Sequence, residues 1–310
     1  MKKVFLILLN WNSAKTTVDC LESLKKINLG NFELEMVVAD NGSTDGSQKV
    51  LRSAIAKELG QGFTFTLIEN KKNLGFAEGN NVGIRYALEK EADYVCLLNN
   101  DTRVSADFLL QLVKVAEKDD QIGIVGGKIY FEKGCEFHKD RYKKEELGKV
   151  IWYAGGKIDW KNVYPIHVGV DEVDVGQYDQ QKETEYVNGC LMLIKKEVFN
   201  KIGLLDSKYF AYFEENDFCQ KAKKAGFKLI YTPKSIIWHL NASSSAPGSF
   251  LHDYFLTRNR LLFGVRWAPL RSKAALIKES LRLLFTGRKW QKIGIRDFYL
   301  GKLGEGSWNE

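Results

Sequence analysis

Polar side chains that could bind a ligand follow apolar runs at three points of this 310-residue sequence. Asp40 ends the first of these runs, Asn99-Asn100-Asp101 ends the second, and His239 ends the third. Carboxylates and imidazoles bind divalent cations, and carboxylates also accept hydrogen bonds from bases and ribose hydroxyls. The same residue types form ordinary turns and helix caps, so each motif also has a purely structural interpretation.

A cluster of three acids forms a fourth candidate site, in the segment Tyr-Phe-Glu-Glu-Asn-Asp-Phe at residues 212–218. Acids at a helix start followed by lysines complement the helix dipole, which is a sufficient structural reason for the pattern. Aromatic residues on both sides of the acids favour a pocket instead. An ionised carboxylate in a pocket can act as a general base.

The elements that must position these residues alternate between strands and helices over the first 130 residues. Repeated strand–helix units predict an α/β fold with a mostly parallel sheet, whose strand carboxyl ends form one ligand-binding edge. The dinucleotide and phosphate-loop glycine motifs are both absent, so a nucleotide must be held in another way. The predicted strands are Val4–Leu9, Leu34–Ala39, Phe63–Ile68, Tyr94–Leu98 and Ile122–Val125; the predicted helices are Ala14–Ile27, Gly46–Lys57, Ala77–Leu88 and Ala106–Lys118.

Beyond Phe131 the pattern changes to loops and short strands as far as Glu185. A strand is predicted at 186–194, and two short strands are predicted around Pro233. From Phe250 onward the sequence predicts three basic helices and a frayed end at 301–310.

The segment that follows the third predicted strand has two interpretations. Gly79 and Gly83 lie one helical turn apart, which would allow close helix packing. Alternatively, Gly75 and the helix start would offer backbone N–H groups to a phosphate.

The net charge of +7 lies entirely in the tail, because residues 251–310 hold 12 Lys and Arg against 5 Asp and Glu. A basic, aromatic-rich amphipathic tail favours an anionic membrane surface, and a packed basic subdomain is the alternative. No apolar run approaches the roughly 20 residues of a membrane span, and the apolar run after Lys3 is too short for a signal peptide. Five scattered cysteines indicate reduced thiols in the cytoplasm.

Taken together, these motifs resemble the family 2 inverting glycosyltransferases with the GT-A fold. The likeness covers roughly residues 4–240 in the family's order, and Ile151–Asp159 is most similar to rhamnosyltransferases of bacterial cell-surface polysaccharide assembly. The motifs that carry it are 7–12 (ILLNWN), 38–47 (VADNGSTDGS), 73–77 (NLGFA), 97–101 (LLNND), 188–189 (NG), 203–206 (GLLD), 212–217 (YFEEND) and 233–239 (PKSIIWH).

The resemblance implies a Rossmann-like, mostly parallel central sheet flanked by helices. It also implies one GT-A domain over 1–245, with a nucleotide-binding half (1–130) and an acceptor and catalytic half (131–245). Residues 246–310 would form a basic amphipathic helical extension.

The resemblance also implies roles for individual residues. Glu215 would be the catalytic base, while Asp101 and His239 would bind a divalent cation, Mn²⁺ or Mg²⁺. The implied donor-binding residues are Asn10, Asn12, Asp40, Asn73, Gly75, Asn99 and Asn100, and the acceptor-side residues are Trp152, Gly155, Gly156, Asn188 and Gly189.

Two departures from the family pattern matter. Asn99 replaces a carboxylate, which removes one negative charge from the cation site and predicts a weakly held metal. Glu215 replaces the usual Asp, and its longer side chain leaves Glu214 and Asp217 as rival bases.

The implied function is transfer of a sugar from a nucleoside-diphosphate donor, dTDP-L-rhamnose or a UDP-hexose, to a hydroxyl of a saccharide acceptor. A lipid-diphosphate-linked acceptor in cell-wall, O-antigen or capsule assembly would place the enzyme at the inner face of the cell membrane, with no nucleic-acid partner.

Two other functions compete with sugar transfer. A sugar-nucleotide pyrophosphorylase would share the α/β sheet, but it carries a Gly-rich, Arg-containing loop where this chain has Asn10-Trp11-Asn12-Ser13. A non-catalytic membrane- or nucleic-acid-binding protein would use the basic tail, but it leaves the acidic cluster unexplained.

Overall fold

The computed structural model of the chain describes residues 1–58, 64–240 and 249–308. Ten strands of these residues form one sheet in the order β10-β12-β6-β11-β4-β1-β2-β3, with β5 pairing β12 and β7 pairing β6. The strands are β1 (Lys2–Asn10), β2 (Phe32–Asp40), β3 (Thr64–Glu69), β4 (Tyr94–Asn99), β5 (Thr102–Val104), β6 (Ile122–Phe131), β7 (Ile151–Tyr153), β8 (Gly156–Asp159), β9 (Tyr164–His167), β10 (Lys182–Glu183), β11 (Leu191–Lys195) and β12 (Lys228–His239).

The α-helices lie between these strands and after them. They are α1 (Ala14–Leu24), α2 (Ser47–Glu58), α3 (Gly75–Glu89), α4 (Phe108–Ala116), α5 (Lys196–Ile202), α6 (Glu214–Lys224), α7 (Phe250–Trp267), α8 (Leu270–Thr286) and α9 (Lys289–Tyr299). The predicted mostly parallel α/β sheet is confirmed, although Phe63, the first residue of the third predicted strand, lies outside the described residues.

The sheet is mixed, because β11 runs antiparallel between β4 and β6. Strands β1, β2, β3 and β4 are parallel neighbours, and β12 is parallel to β6. The centre of the sheet is buried because β1 and β4 carry continuous apolar runs. Val4–Leu8 and Tyr94–Leu98 are almost completely buried.

Two predicted elements differ in the structure. The two short strands around Pro233 are one strand, β12, with a register shift between Thr232 and Ile236 where proline cannot donate a ladder hydrogen bond. The strand predicted at 186–194 begins only at Leu191, because the residues before it form loop contacts with the 151–168 region.

The tail folds into the three predicted helices. Its end was predicted to be frayed, but it is packed against the helices as far as residue 308. The Ser307 N–H donates to the Tyr254 hydroxyl at 2.9 Å, and the rings of Trp308 and Trp290 lie 5.0 Å apart. Strands of both predicted halves share the one sheet. The predicted domain boundary at 245/246 lies outside the described residues.

Candidate active site

The carboxyl ends of β1, β2 and β4 lie side by side and bring three predicted residues to one edge. In the register of these strands, Asn10 is opposite Asp40, and Leu9 is opposite Asn99. Asn10 and Asp40 are fully buried, and the Asn10 side-chain amide donates to Asp40 Oδ1 at 2.8 Å.

The Asp40 carboxylate is the centre of the turn that joins β2 to α2. Besides Asn10, it accepts hydrogen bonds from the Ser43 hydroxyl at 2.6 Å, the Ser43 N–H at 3.1 Å and the Gln48 side chain at 2.9 Å. These contacts support the turn interpretation of this motif. A base contact by Asp40 stays a prediction.

Asn12 joins two neighbouring loops. Its backbone is left-handed, with φ of +48°, and its side-chain oxygen accepts from the Thr44 N–H at 2.8 Å. Trp11 is 37% exposed beside it. Its indole offers a stacking surface at this edge. Trp11 is not among the predicted donor-binding residues.

The loop before α3 is held together by Asn41. The Asn41 amide nitrogen donates to Asn73 Oδ1 at 2.9 Å and to the Gly75 carbonyl at 3.1 Å. The N–H of Gly75 donates to Asn73, while the N–H groups of Phe76 and Ala77 donate to the Phe210 carbonyl. The first N–H groups of α3 are thus paired within the protein, which favours the packing interpretation of this segment.

Asp101 and His239 meet at the same edge, as the sequence predicts. Asp101 occupies the turn between β4 and β5, His239 ends β12, and His239 Nε2 lies 3.1 Å from Asp101 Oδ1. The backbones of the two segments are also hydrogen-bonded, since the Leu240 N–H donates to the Asp101 carbonyl at 2.9 Å. An imidazole and a carboxylate form two of the ligands that Mn²⁺ and similar cations accept.

The two asparagines before Asp101 differ in their contacts. Asn100 braces the turn against α1, because its amide donates to the Ser13 and Thr17 hydroxyls at 2.9 and 2.8 Å. The Asn99 side chain makes no hydrogen bond within the described part of the chain, and it is partly exposed. Asn99 is therefore the residue of the motif best placed to contact a ligand.

Trp152 lies between two histidines, with its ring at a steep angle to both, and extends the site. Its ring centroid lies 4.6 Å from that of His239 and 4.4 Å from that of His167. The Asn188 amide lies 3.3 Å from His167 Nε2. Burial lowers the pKa of His167 to about 4, so this ring is neutral near pH 7. His167 could not be predicted from the sequence, because an isolated histidine in a loop region carries no pattern.

Gly189 connects this group to the acidic cluster. The residue after it, Cys190, accepts the Asn99 N–H at 3.0 Å. A β-carbon at Gly189 would lie 3.2 Å from the ring of Phe76 and 3.7 Å from Cβ of Glu215. This close approach places the start of α6 beside the end of β4.

The backbone before α6 is strained. Phe210, Tyr212 and Phe213 all have left-handed φ angles, of +65°, +69° and +72°, which bulky residues rarely adopt. Such strain concentrates at functional sites, where the surrounding structure maintains it. Here it precedes the two glutamates directly.

Glu214 and Glu215 place carboxylate oxygens in a buried position. Oε2 of each residue is buried and has no hydrogen-bond partner among the described residues, as is also true of both amide atoms of Asn216 and of the Tyr186 hydroxyl. Unpaired buried polar atoms are rare, and a cluster of them indicates a place where a ligand or water binds.

The burial of these carboxylates changes their acidity. Burial raises the pKa of Glu215 to about 7, whereas burial and then repulsion from Glu215 raise the pKa of Glu214 well above its usual value. Near pH 7 Glu215 is therefore partly protonated and partly ionised. A pKa near the working pH is what a general base requires.

Asp217, the third acid, is held by α7 and by its own helix. Its fully buried carboxylate accepts from Arg266 at 3.1 Å and from the Trp267 indole at 2.8 Å, and it forms an ion pair with Lys221 at 2.7 Å. These contacts give Asp217 a structural role and leave Glu214 and Glu215 as the candidate bases.

Gly155 and Gly156 lie at the start of β8, and Gly156 packs against Tyr186. A β-carbon at Gly156 would come within 2.4 Å of the Tyr186 ring, and the Gly156 N–H donates to the Thr184 hydroxyl at 2.7 Å. Both glycines line a cavity of about 460 Å³ with Lys157, Lys182 and Lys223. Gly156 also pairs with His167 between β8 and β9, and His167 contacts Trp152 and Asn188. An acceptor-side role for the two glycines stays a prediction.

Comparison with known protein families gives a match to Glycosyl transferase family 2 over residues 6–203, well over half of the chain. This match supports the predicted transferase and gives no support to a pyrophosphorylase or a non-catalytic binding protein.

Two relatives show the range of the similarity. An uncharacterized protein of Sinorhizobium fredii is 25% identical over 236 residues, which cover 75% of this chain and 23% of that protein. An N-acetylglucosaminyl-diphospho-decaprenol L-rhamnosyltransferase of Mycobacterium tuberculosis is 22% identical over 228 residues, which cover 70% of this chain and 71% of that protein.

The fold is similar to that of a solved mannosyltransferase from Pyrobaculum calidifontis, which was determined in complex with GDP-mannose and Mn²⁺. The TM-score is 0.56 at 16% identity, and the alignment covers 99% of this chain and 76% of the other. The predicted GT-A fold is thereby confirmed.

Proposed function

Because the chain belongs to glycosyl transferase family 2, we propose that it moves a sugar from a nucleoside-diphosphate donor to a hydroxyl of a saccharide acceptor, with inversion at the anomeric carbon. The observation that carries the proposal is the convergence of the Asp101–His239 pair and the Glu214–Glu215 pair around Asn99 and Gly189. The Asp101–His239 pair could bind the cation that a diphosphate needs. The Glu214–Glu215 pair could accept the proton of an attacking hydroxyl.

Glu215 is the proposed base. With its pKa raised to about 7, a large fraction of its carboxylate is ionised at neutral pH and can accept a proton. It would take the proton from the acceptor hydroxyl as that oxygen attacks the anomeric carbon from the face opposite the leaving diphosphate. General-base assistance of this kind typically contributes ~10²–10⁴-fold.

Asp101 and His239 are the proposed ligands of a divalent cation, Mn²⁺ or Mg²⁺. Their donor atoms, a carboxylate oxygen and an imidazole nitrogen 3.1 Å apart, fit such an ion. Within the described residues no group of three or more His, Cys, Asp or Glu side chains forms a metal site. When bound, the cation would supply positive charge to the leaving diphosphate.

The donor nucleotide would lie along the edge formed by β1, β2 and β4. Trp11 offers an exposed indole for stacking, Asn99 offers an amide to the ribose, and Asn10, Asn12, Asp40 and Asn73 shape the loops around the base. We favour dTDP-L-rhamnose as donor, with a UDP-hexose as the alternative, because rhamnosyltransferases are among the relatives.

The acceptor would enter beside Trp152, Asn188 and Gly189. We propose a lipid-diphosphate-linked saccharide of cell-wall, O-antigen or capsule assembly, because the mycobacterial relative is named for a diphospho-decaprenol acceptor. This acceptor would place the enzyme at the inner face of the cell membrane. In the part of the chain that the structure describes, no helix has the length and apolarity of a membrane span.

The proposal is tested by incubating the full chain with a panel of nucleotide sugars and an acceptor saccharide extract, with Mn²⁺ or with EDTA. Release of nucleoside diphosphate from a pyrimidine nucleotide sugar, dependent on the acceptor extract and reduced by EDTA, is expected. Release from none of the nucleotide sugars, together with no thermal stabilisation by any nucleoside diphosphate, would overturn the proposal.

A further inference from the structure

Some basic residues of the tail are buried, so only part of the tail can form the predicted membrane-binding surface. Arg258 is fully buried in α7, where its guanidinium donates to the Tyr209 carbonyl at 3.1 Å. Arg260 is 9% exposed and pairs with Glu279. Leu261, Leu262 and Phe263 are buried in the core. Helix α7 is therefore a packed element.

Helix α8 is different, because one of its faces has no protein covering it within the described residues. The inward face carries buried Leu276 and Ser280, with Glu279 paired to Arg260. Large apolar side chains stand on the opposite face: Leu270 is 83% exposed, Leu281 is 50% exposed and Phe285 is 82% exposed.

Helix geometry puts these three residues in one stripe. At 3.6 residues per turn, positions 270, 281 and 285 fall within about 60° of one another around the helix axis. Exposed basic residues border this stripe along one side: Arg271, Lys278 and Arg282. We call this set of six residues the α8 face.

The charge of the α8 face is uniform. Glu279 is the only acid in the sequence of α8, and its charge is neutralised by the ion pair with Arg260. Exposed Lys289 follows the helix and adds to the positive side. A stripe of large apolar residues beside cations, without a free acid, is complementary to an anionic lipid surface.

We infer that the α8 face docks the enzyme on an anionic bilayer, with Leu281 and Phe285 inserted among the acyl chains and Arg271, Lys278 and Arg282 on lipid phosphates. The inference rests on the proposed function, since only a lipid-linked acceptor requires this location. It adds the surface by which the enzyme would reach such an acceptor.

The test is flotation of the full chain with vesicles of phosphatidylglycerol or of phosphatidylcholine. Binding to the anionic vesicles alone is expected, and Leu281→Ser with Phe285→Ser should weaken it at least about tenfold. Lys278→Gln with Arg282→Gln should weaken it about 10- to 30-fold, since each basic residue near the surface contributes about one factor of five.

Matched controls lie elsewhere on the surface. Val175→Ser removes an apolar side chain that is 83% exposed, and Lys143→Gln with Lys144→Gln removes two exposed charges, and both variants should bind as the wild type does. Equal binding by all variants, or equal binding to neutral vesicles, would overturn the inference. So would sedimentation showing a wild-type dimer that the Leu281→Ser, Phe285→Ser variant converts to a monomer without any vesicle binding in either protein.

Release of nucleoside diphosphate with a water-soluble acceptor separates this inference from the proposed function. The α8 variants should keep that activity while they lose vesicle binding. Activity retained without vesicle binding by the wild type contradicts only the docking surface, and vesicle binding without activity contradicts only the proposed function.

Discussion

At the scale of single residues, the electrostatics of Glu214 and Glu215 differ from those of a helix cap and agree with the proposed catalytic role. An acid that merely caps α6 would be solvated and ionised at low pH, because the helix N-terminus stabilises negative charge. Here burial outweighs the helix N–H groups and raises the pKa values of both glutamates. Sequence alone could place acids at the start of α6, but it could not show that their oxygens are buried.

The raised pKa of Glu215 predicts a pH dependence. The residue acts as a base only when it is deprotonated, so kcat/KM should rise with pH up to about 7 and level off above it. The measurement is a pH profile of kcat/KM with saturating cation. A profile that is flat from pH 5 upward would match an ordinary carboxyl pKa and contradict the environment described for Glu215.

At the scale of elements, α7 maintains the strained segment that precedes the glutamates. Asn259 is fully buried, and its amide donates to the carbonyls of Tyr209, Ala211 and Tyr212 at 2.7, 2.6 and 3.0 Å. The charge pattern suggested a tail that faces a membrane. It did not reveal that α7 braces the segment before the proposed catalytic glutamates, because hydrogen bonds to backbone carbonyls leave no sequence signal.

Removing this brace should affect the chemistry more than donor binding. Asn259→Ala removes the three hydrogen bonds, so we expect kcat to fall about tenfold or more, and the KM for donor to change little, as Glu215 loses its fixed position. Steady-state kinetics of a folded variant, checked by circular dichroism, measure both constants. The exposed Asn28→Ala, which removes a single hydrogen bond to Asp107, is the control. A rise in KM at constant kcat would mean that the brace serves the donor pocket instead.

The burial of β1 and β4 as parallel strands, unlike the hydrogen bonds of Asn259, was predictable from particular residues. The buried runs Val4–Leu8 and Tyr94–Leu98 have the apolar continuity of central parallel strands, and both are central in the structure. The antiparallel insertion of β11 between β4 and β6 was not predictable. Its apolar sequence suits either direction, and only the fold determines which neighbours it pairs with.

At the scale of the whole molecule, the site is assembled from distant parts of the chain. Asp101 and His239 are 138 positions apart and touch, while Glu215 and Asn99 lie on either side of the Gly189–Cys190 segment. The family resemblance predicted these residues, whereas spacing alone could not, because contacts over such sequence separations depend on the sheet order. Gly155 and Gly156 came from the same resemblance, and Gly156 pairs with His167, which the resemblance did not include.

The proposed function depends most on one base at this composite site. The most direct test is the single-turnover transfer rate of Glu215→Gln, compared with Glu214→Gln and the wild type, with donor affinity measured separately by calorimetry. We predict that Glu215→Gln lowers the transfer rate ~10²–10⁴-fold with donor affinity unchanged, while Glu214→Gln loses less than about tenfold. A Glu215→Gln enzyme that transfers sugar at the wild-type rate would contradict the central claim.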